Sequence, residues 1–289
     1  MEIEEQIENR RFIPVSHVEA DAILKSLPTP DDPPFTPIEG IGLWIVSVVL
    51  IVFVPGFLLL PYLLSLDPPI TDPEQIVAFA KTDPTSIFLQ IVGILPAHIL
   101  TLALAWLIVT RFKRYSFRET LGWETGRFRW WHYCILLGGF MVLASGVNTY
   151  FPEQENELLR MLQSSRAAVY IVAFIATFTA PVVEEVVYRG VLYSAFQRRF
   201  GILASFVFVT FLFAIVHVPQ YYPSYSTIFL LFLLSLTLTS VRVKTGNLLP
   251  CIILHTLFNG LQSAMLILEP YMTKETIPDQ AAGIIAWLR

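Results

Sequence analysis

The sequence predicts an all-α fold: a polytopic transmembrane helix bundle of about seven to eight spans. Three observations predict it. The 289 residues are 55% hydrophobic and only 15% charged, with a mean hydropathy of +0.62, a balance that belongs to multi-span membrane proteins and not to soluble domains. Apolar runs long enough to cross a bilayer, about 20 residues each, fall near 41–66, 86–110, 130–150, 167–188, 202–218, 226–243 and 248–268. The basic residues are unevenly shared between the segments that join these runs.

Taken in chain order, residues 1–40 are acidic and proline-rich, without the basic start and short apolar core of a cleavable signal peptide. A short amphipathic helix is expected around Val18 to Leu27, and Pro28 to Pro37 reads as an extended linker without chemistry of its own. Residues 41–150 supply the N-terminal membrane helices. Pro55, Pro61 and Pro96 lie inside the first two, where neighbouring helices must satisfy the carbonyls they free. The "RWW" at 129–131 suits an aromatic anchor at the start of the third. Residues 151–268 form a crowded helical core, and 269–289 a tail whose final "AAGIIAWLR" is too short to cross and suits the interface.

With the N-terminus in the cytoplasm, fourteen Lys and Arg fall in inside segments and five in outside ones, the asymmetry expected of an integral protein of a cell (plasma or inner) membrane. Nucleic-acid binding is excluded as a reading. Cys134 and Cys251, both in apolar runs, read as packing residues and not as a disulfide or thiolate site.

The core contains "TAPVVEEVVYRGV", residues 179–191, with Glu184, Glu185 and Arg189 inside an apolar stretch. A charged side chain at the centre of a membrane helix costs about 2.5–3.5 kcal/mol on insertion scales, so these residues require partners or a function. Glu185 and Arg189 are four apart and can pair on one face, which leaves Glu184 free. Phe213 precedes His217 by one helical turn, and His255 precedes Asn259 by one turn. The turn signal "RRFG" at 198–201 folds two helices into a hairpin; Glu184 and His217 then lie level, each about 25 Å from its tip at 1.5 Å per residue. His255 can reach that level from the loop "RVKTGN". Glu184, His217, His255 and Asn259 are therefore expected to converge in the inner half of the membrane, in a cavity open to the cytoplasm.

The run "EEVVYR" matches an E-E-x-x-x-R motif, "FAIVH" matches F-x-x-x-H, and "HTLFN" matches H-x-x-x-N, in order and in successive apolar segments. The chain thus resembles the CAAX-protease and bacteriocin-processing (Abi) family of intramembrane glutamic endopeptidases, over roughly residues 167–265. Members are described with eight helices, one more than the runs counted above. The resemblance implies hydrolysis of a peptide bond in a membrane-associated or lipidated protein, with Glu184 as general base and His217 helping to hold or activate the water. It further implies His255 and Asn259 as oxyanion donors. Glu185 and Arg189 read as a structural pair, with Phe213 shaping the cavity wall.

The chemistry agrees with that assignment. Burial raises a carboxyl's pKa toward working pH, which suits a general base. No Asp occurs in any span, no H-E-x-x-H occurs, and "LASG" at 143–146 lacks the leading Gly of a G-x-S-G nucleophile motif. His17, His98 and His132 lack such company and read as structural or, for His17, as part of the N-terminal segment. Metal-free water activation without a cofactor is the favoured reading. Glu184, His217 and His255 as a metal-ligand set remains an alternative. Two others are a non-catalytic membrane scaffold or bacteriocin-immunity protein, and an ion-coupled transporter, the last predicting polar residues along the full membrane depth. The expected partners are a protein or peptide substrate and the lipid bilayer. Nothing in the sequence specifies an oligomeric state.

Overall fold

The computed structural model describes residues 27–272, Ser165 excepted, and among these residues it contains helices and no strand. The amphipathic helix expected near Val18 and the interfacial segment at the C-terminus lie outside the described residues. Seven helices are long and apolar enough to cross a membrane. They are α1 (Pro37–Ser65), α3 (Pro84–Thr110), α5 (Trp130–Tyr150), α7 (Arg166–Phe200), α8 (Ile202–Tyr221), α9 (Tyr225–Thr245) and α10 (Leu249–Met272). Three shorter helices join them: α2 (Pro73–Thr82), α4 (Phe117–Leu121) and α6 (Glu157–Ser164).

Helix starts follow local chemistry. Thr36 caps α1 in a capping box with Glu39, Asp72 accepts from the Gln75 N–H of α2, and Asp83 accepts from the Ser86 N–H of α3. In each case a proline, which needs no N–H partner, follows the cap. The two Asp-Pro pairs therefore bound α2, a helix not anticipated from the apolar runs. At the other hairpin, α7 ends at Phe200 and α8 begins at Ile202, so the turn expected at "RRFG" is made by Gly201 with φ +82°.

Helices α1 and α3 approach closely because one of them lacks a side chain at the crossing. A Cβ added to Gly93 would lie 2.6 Å from the Pro55 Cα, closer than atoms can pack without backbone movement.

The Pro-rich segment before α1 is a strap across the end of the bundle that carries the basic loops. Phe35 is buried in the core there, with Leu121, Tyr193 and Leu248. Arg111 donates to Glu39 Oε2 (2.9 Å) and to the Pro34 carbonyl. Arg198 donates to the Pro33 carbonyl and lies 3.3 Å from Asp32, and the buried Arg242 donates to the Pro30 carbonyl (2.9 Å) and to Ser194 Oγ (3.0 Å). The segment read from the sequence as an extended linker thus also fastens the basic end of the bundle. Proline supplies no N–H, but its carbonyl is a full acceptor, and three arginines use it.

Replacing Gly93 with Ala should destabilise the fold by about 1–3 kcal/mol, the usual cost of overpacking. Thermal unfolding in detergent checks this, and an unchanged midpoint would mean that α1 and α3 separate freely.

Candidate active site

The long helix α7 departs from α geometry twice, over Ile175–Thr179 and over Val186–Leu192, where its turns widen to π-helix on either side of Glu184 and Glu185. Such widened turns are rare and concentrate at functional sites. The first has an identifiable cause. The Ala180 N–H bonds the Ile175 carbonyl five residues back, and Pro181, lacking an N–H, cannot do the same for the next carbonyl, that of Ala176. Asn259 of α10 does it instead, its Nδ2 donating to Ala176 O at 2.9 Å. One of its two amide hydrogens is thereby committed to the helix, and the other is left for a further partner.

The charged pair read from the sequence is present and wholly buried. Arg189 Nη1 donates to Glu185 Oε1 at 2.9 Å, and both side chains are 0% exposed. Arg189 Nη2 also donates to Ser235 Oγ (2.7 Å) and to Ser235 O (3.1 Å), which ties α7 to α9. Its guanidinium lies 4.6 Å from the centre of the Phe213 ring. The reading of Glu185 and Arg189 as purely structural is incomplete, because Glu185 Oε1 also lies 2.9 Å from His255 Nδ1. A carboxylate accepts, so Nδ1 donates, and the other ring nitrogen turns to Glu184, with Nε2 3.9 Å from Oε2. Glu184 itself keeps 24% of its side chain exposed.

His217 is oriented in the same way. Its Nδ1 lies 2.7 Å from the Phe213 carbonyl, which can only accept. Neutral His217 therefore carries its proton on Nδ1 and its lone pair on Nε2. Phe213 stands between the two histidines, its ring centre 4.8 Å from His217 and 6.0 Å from His255.

The sequence reading missed two residues here. His98, read as structural, bonds Thr179 Oγ1 at 2.9 Å and lines the same cavity as Glu184. The Thr179 hydroxyl donates to Ile175 O at 3.2 Å, so it accepts from His98 Nδ1 and leaves a third Nε2 on the cavity side. Tyr188 also lines the cavity, with its hydroxyl accepting from Trp44 Nε1 at 2.9 Å. His98 has no polar companion one turn away, and its partner lies 81 residues along the chain, so no local spacing signals it.

Glu184, Phe213, His217, His255 and Asn259 line one cavity of about 630 Å³, within the roughly 300–1,000 Å³ usual for ligand sites. It extends from the middle of α1 and α3 along α8, α9 and α10 to Glu153, Asn156 and Leu158, in the segment between α5 and α7. That is the end of the bundle away from the basic loops. The expected opening at the basic end is therefore corrected: that end is filled by the packed cluster around Phe35, Leu121, Tyr193 and Leu248. The depth arithmetic placed the site in the inner half of the membrane, but packing and the strap decide which half is solid. Arg189, counted among the inside basic residues, also lies within the helix bundle and not in a loop.

At the far end, Glu153 Oε1 accepts from Asn156 Nδ2 (3.1 Å) and Thr227 Oγ1 (3.3 Å), and burial pushes its carboxyl up to about 7 against those two bonds. Among the described residues no group of three or more His, Cys, Asp or Glu is arranged to hold a metal ion.

Residues 166–261 match the family model described as Rce1-like, type II CAAX prenyl endopeptidase. The resemblance carried by the three motifs is thus supported by an independent comparison over about a third of the chain, from the start of α7 into α10. The family is one of endopeptidases, and the substrate class it implies is a protein or peptide. No curated protein and no solved structure was found to match the chain.

Arg189→Ala should lower stability by about 3–5 kcal/mol, because it strands Glu185 as a buried charge. Arg189→Lys should recover only part of the loss, since an ammonium cannot span Glu185 and Ser235 in the same fork geometry. Unfolding midpoints of the purified variants check the order, and a wild-type midpoint for Arg189→Ala would contradict it.

Proposed function

We propose that the chain is an intramembrane endopeptidase that hydrolyses a peptide bond of a membrane-associated or lipidated protein with water activated by Glu184 and His217. The observation that carries this reading is the convergence of a partly exposed carboxylate and the Nε2 faces of two buried or half-buried histidines on one cavity. In this reading Glu184 removes the proton of a water that His217 Nε2 helps to hold, and returns it to the departing amine. The carbonyl oxygen, negative in the tetrahedral intermediate, is received by His255 and by the second amide hydrogen of Asn259. His255 can donate from Nε2 only while Nδ1 also keeps its proton on Glu185, so the donor is the imidazolium.

The packing favours this over a transporter. A transport path needs polar groups through the whole depth, whereas the basic end is closed by apolar side chains. A scaffold or immunity protein has no need of three histidines held in matched orientation. With the N-terminal strap in the cytoplasm, as the basic loops suggest, the substrate segment enters from the opposite face.

Glu184→Gln should lower the rate of proteolysis by at least the roughly 10²- to 10⁴-fold of general-base catalysis while leaving the unfolding midpoint in place. Comparative proteomics of membranes containing either protein supplies substrates, and a purified cleavage assay supplies the rate; wild-type cleavage by the variant overturns the assignment. The reading also involves no metal. EDTA or phenanthroline should leave that rate unchanged, and loss restored by added zinc would establish the metal-dependent alternative.

A further inference from the structure

The charge of the cavity lining is one-sided. Two carboxylates line it, Glu184 beside the histidines and Glu153 at the far end, and among the described residues no Lys or Arg does. Glu153 is also held in place. Asn156 and Thr227 both donate to its Oε1, and the neighbouring Gln154 N–H donates to Ser224 Oγ at 3.3 Å, so the segment that carries Glu153 is fastened to the start of α9. Among the described residues no Lys or Arg pairs with it. Elsewhere in the bundle the buried or half-buried carboxylates Glu185 and Glu39 each have an arginine. Glu153, like Glu184, has none, and it lines the space where a substrate would lie.

We propose that this cavity selects a peptide segment carrying a cation, either a Lys or Arg side chain or a free amino terminus, and that Glu153 is the specificity-determining residue that receives it. The inference rests on the endopeptidase reading and adds a substrate class to it. An extended chain laid from Glu184 to Glu153 would meet neutral amides on the way, Gln220 and Gln262 among them, which can bond a peptide backbone without discriminating. Charge is then decided at the end. An acidic side chain placed at that end would meet a like charge with no Lys or Arg beside it among the described residues, a juxtaposition that rejects partners. A cationic segment would exchange water for a partly desolvated ion pair.

The test is binding of fluorescent peptides to the full chain carrying Glu184→Gln, in neutral-lipid nanodiscs, so that cleavage does not intervene. One apolar 12-residue sequence is made with a single Lys, a single Glu or neither, each with a free and an acetylated amino terminus. The Lys peptide should bind about tenfold more tightly than the Glu peptide, the order expected of one partly buried charge pair. Retention of the preference after acetylation assigns the cation to the side chain, and its loss assigns it to the amino terminus. Glu153→Gln should abolish the preference, and Glu153→Lys should invert it. Equal binding of Lys and Glu peptides, a preference untouched by both substitutions, or no binding of any peptide overturns the proposal. Failure of the proteolytic reading is separable: it would leave charge-selective binding intact while the wild-type chain cleaves nothing.

Discussion

One carboxylate oxygen, Oε1 of Glu185, serves two partners at 2.9 Å, Arg189 on its own helix and His255 on α10. The rest of the site depends on this sharing. A lone carboxylate with no exposure would be too costly to keep ionised. Arg189 makes it tolerable and is itself held by Ser235, so three helices are joined at a single charged group. Because Glu185 occupies His255 Nδ1, the imidazole has one orientation, and its other nitrogen faces Glu184. The adjacent pair of glutamates divides into a buried residue that holds His255 and a more accessible one that lines the cavity.

Around that group the backbone is built to admit polar contacts. Pro181 removes one N–H and the π-helical turn before it widens α7, so the Ala176 carbonyl needs a donor from outside the helix. Asn259 supplies it and thereby sets the position of α10. His217 is held by the carbonyl of Phe213, whose ring in turn covers Arg189. His217, His255 and Asn259 are thus each held by a hydrogen bond to a neighbouring group, which fixes their orientation in the cavity wall.

Much of this was legible in the sequence wherever the partners sit one helical turn apart. Glu185 with Arg189, Phe213 with His217 and His255 with Asn259 could be read as pairs from their spacing, and Gly201 from the chain reversal it permits. What could not be read depends on tertiary approach. His98 finds Thr179, and Tyr188 finds Trp44, across distances in sequence that no periodicity spans. The prolines of residues 28–37 look like a linker by composition, and only folding presents their carbonyls to Arg111, Arg198 and Arg242. Depth along a helix is symmetric with respect to its two ends, so the counting that brought the carboxylates and histidines level could not say which half of the bundle is solid.

The central claim is that Glu184, His217 and His255 act together on a peptide held in the cavity away from the strap. A structure of the Glu184→Gln chain with an uncleaved peptide bound tests it most directly. The account predicts a scissile carbonyl carbon about 3–3.5 Å from a water on Glu184→Gln and His217, its oxygen directed at His255 Nε2 and Asn259, and the chain running toward Glu153. A peptide seated at the basic end, or one whose carbonyl points away from His255, would contradict it.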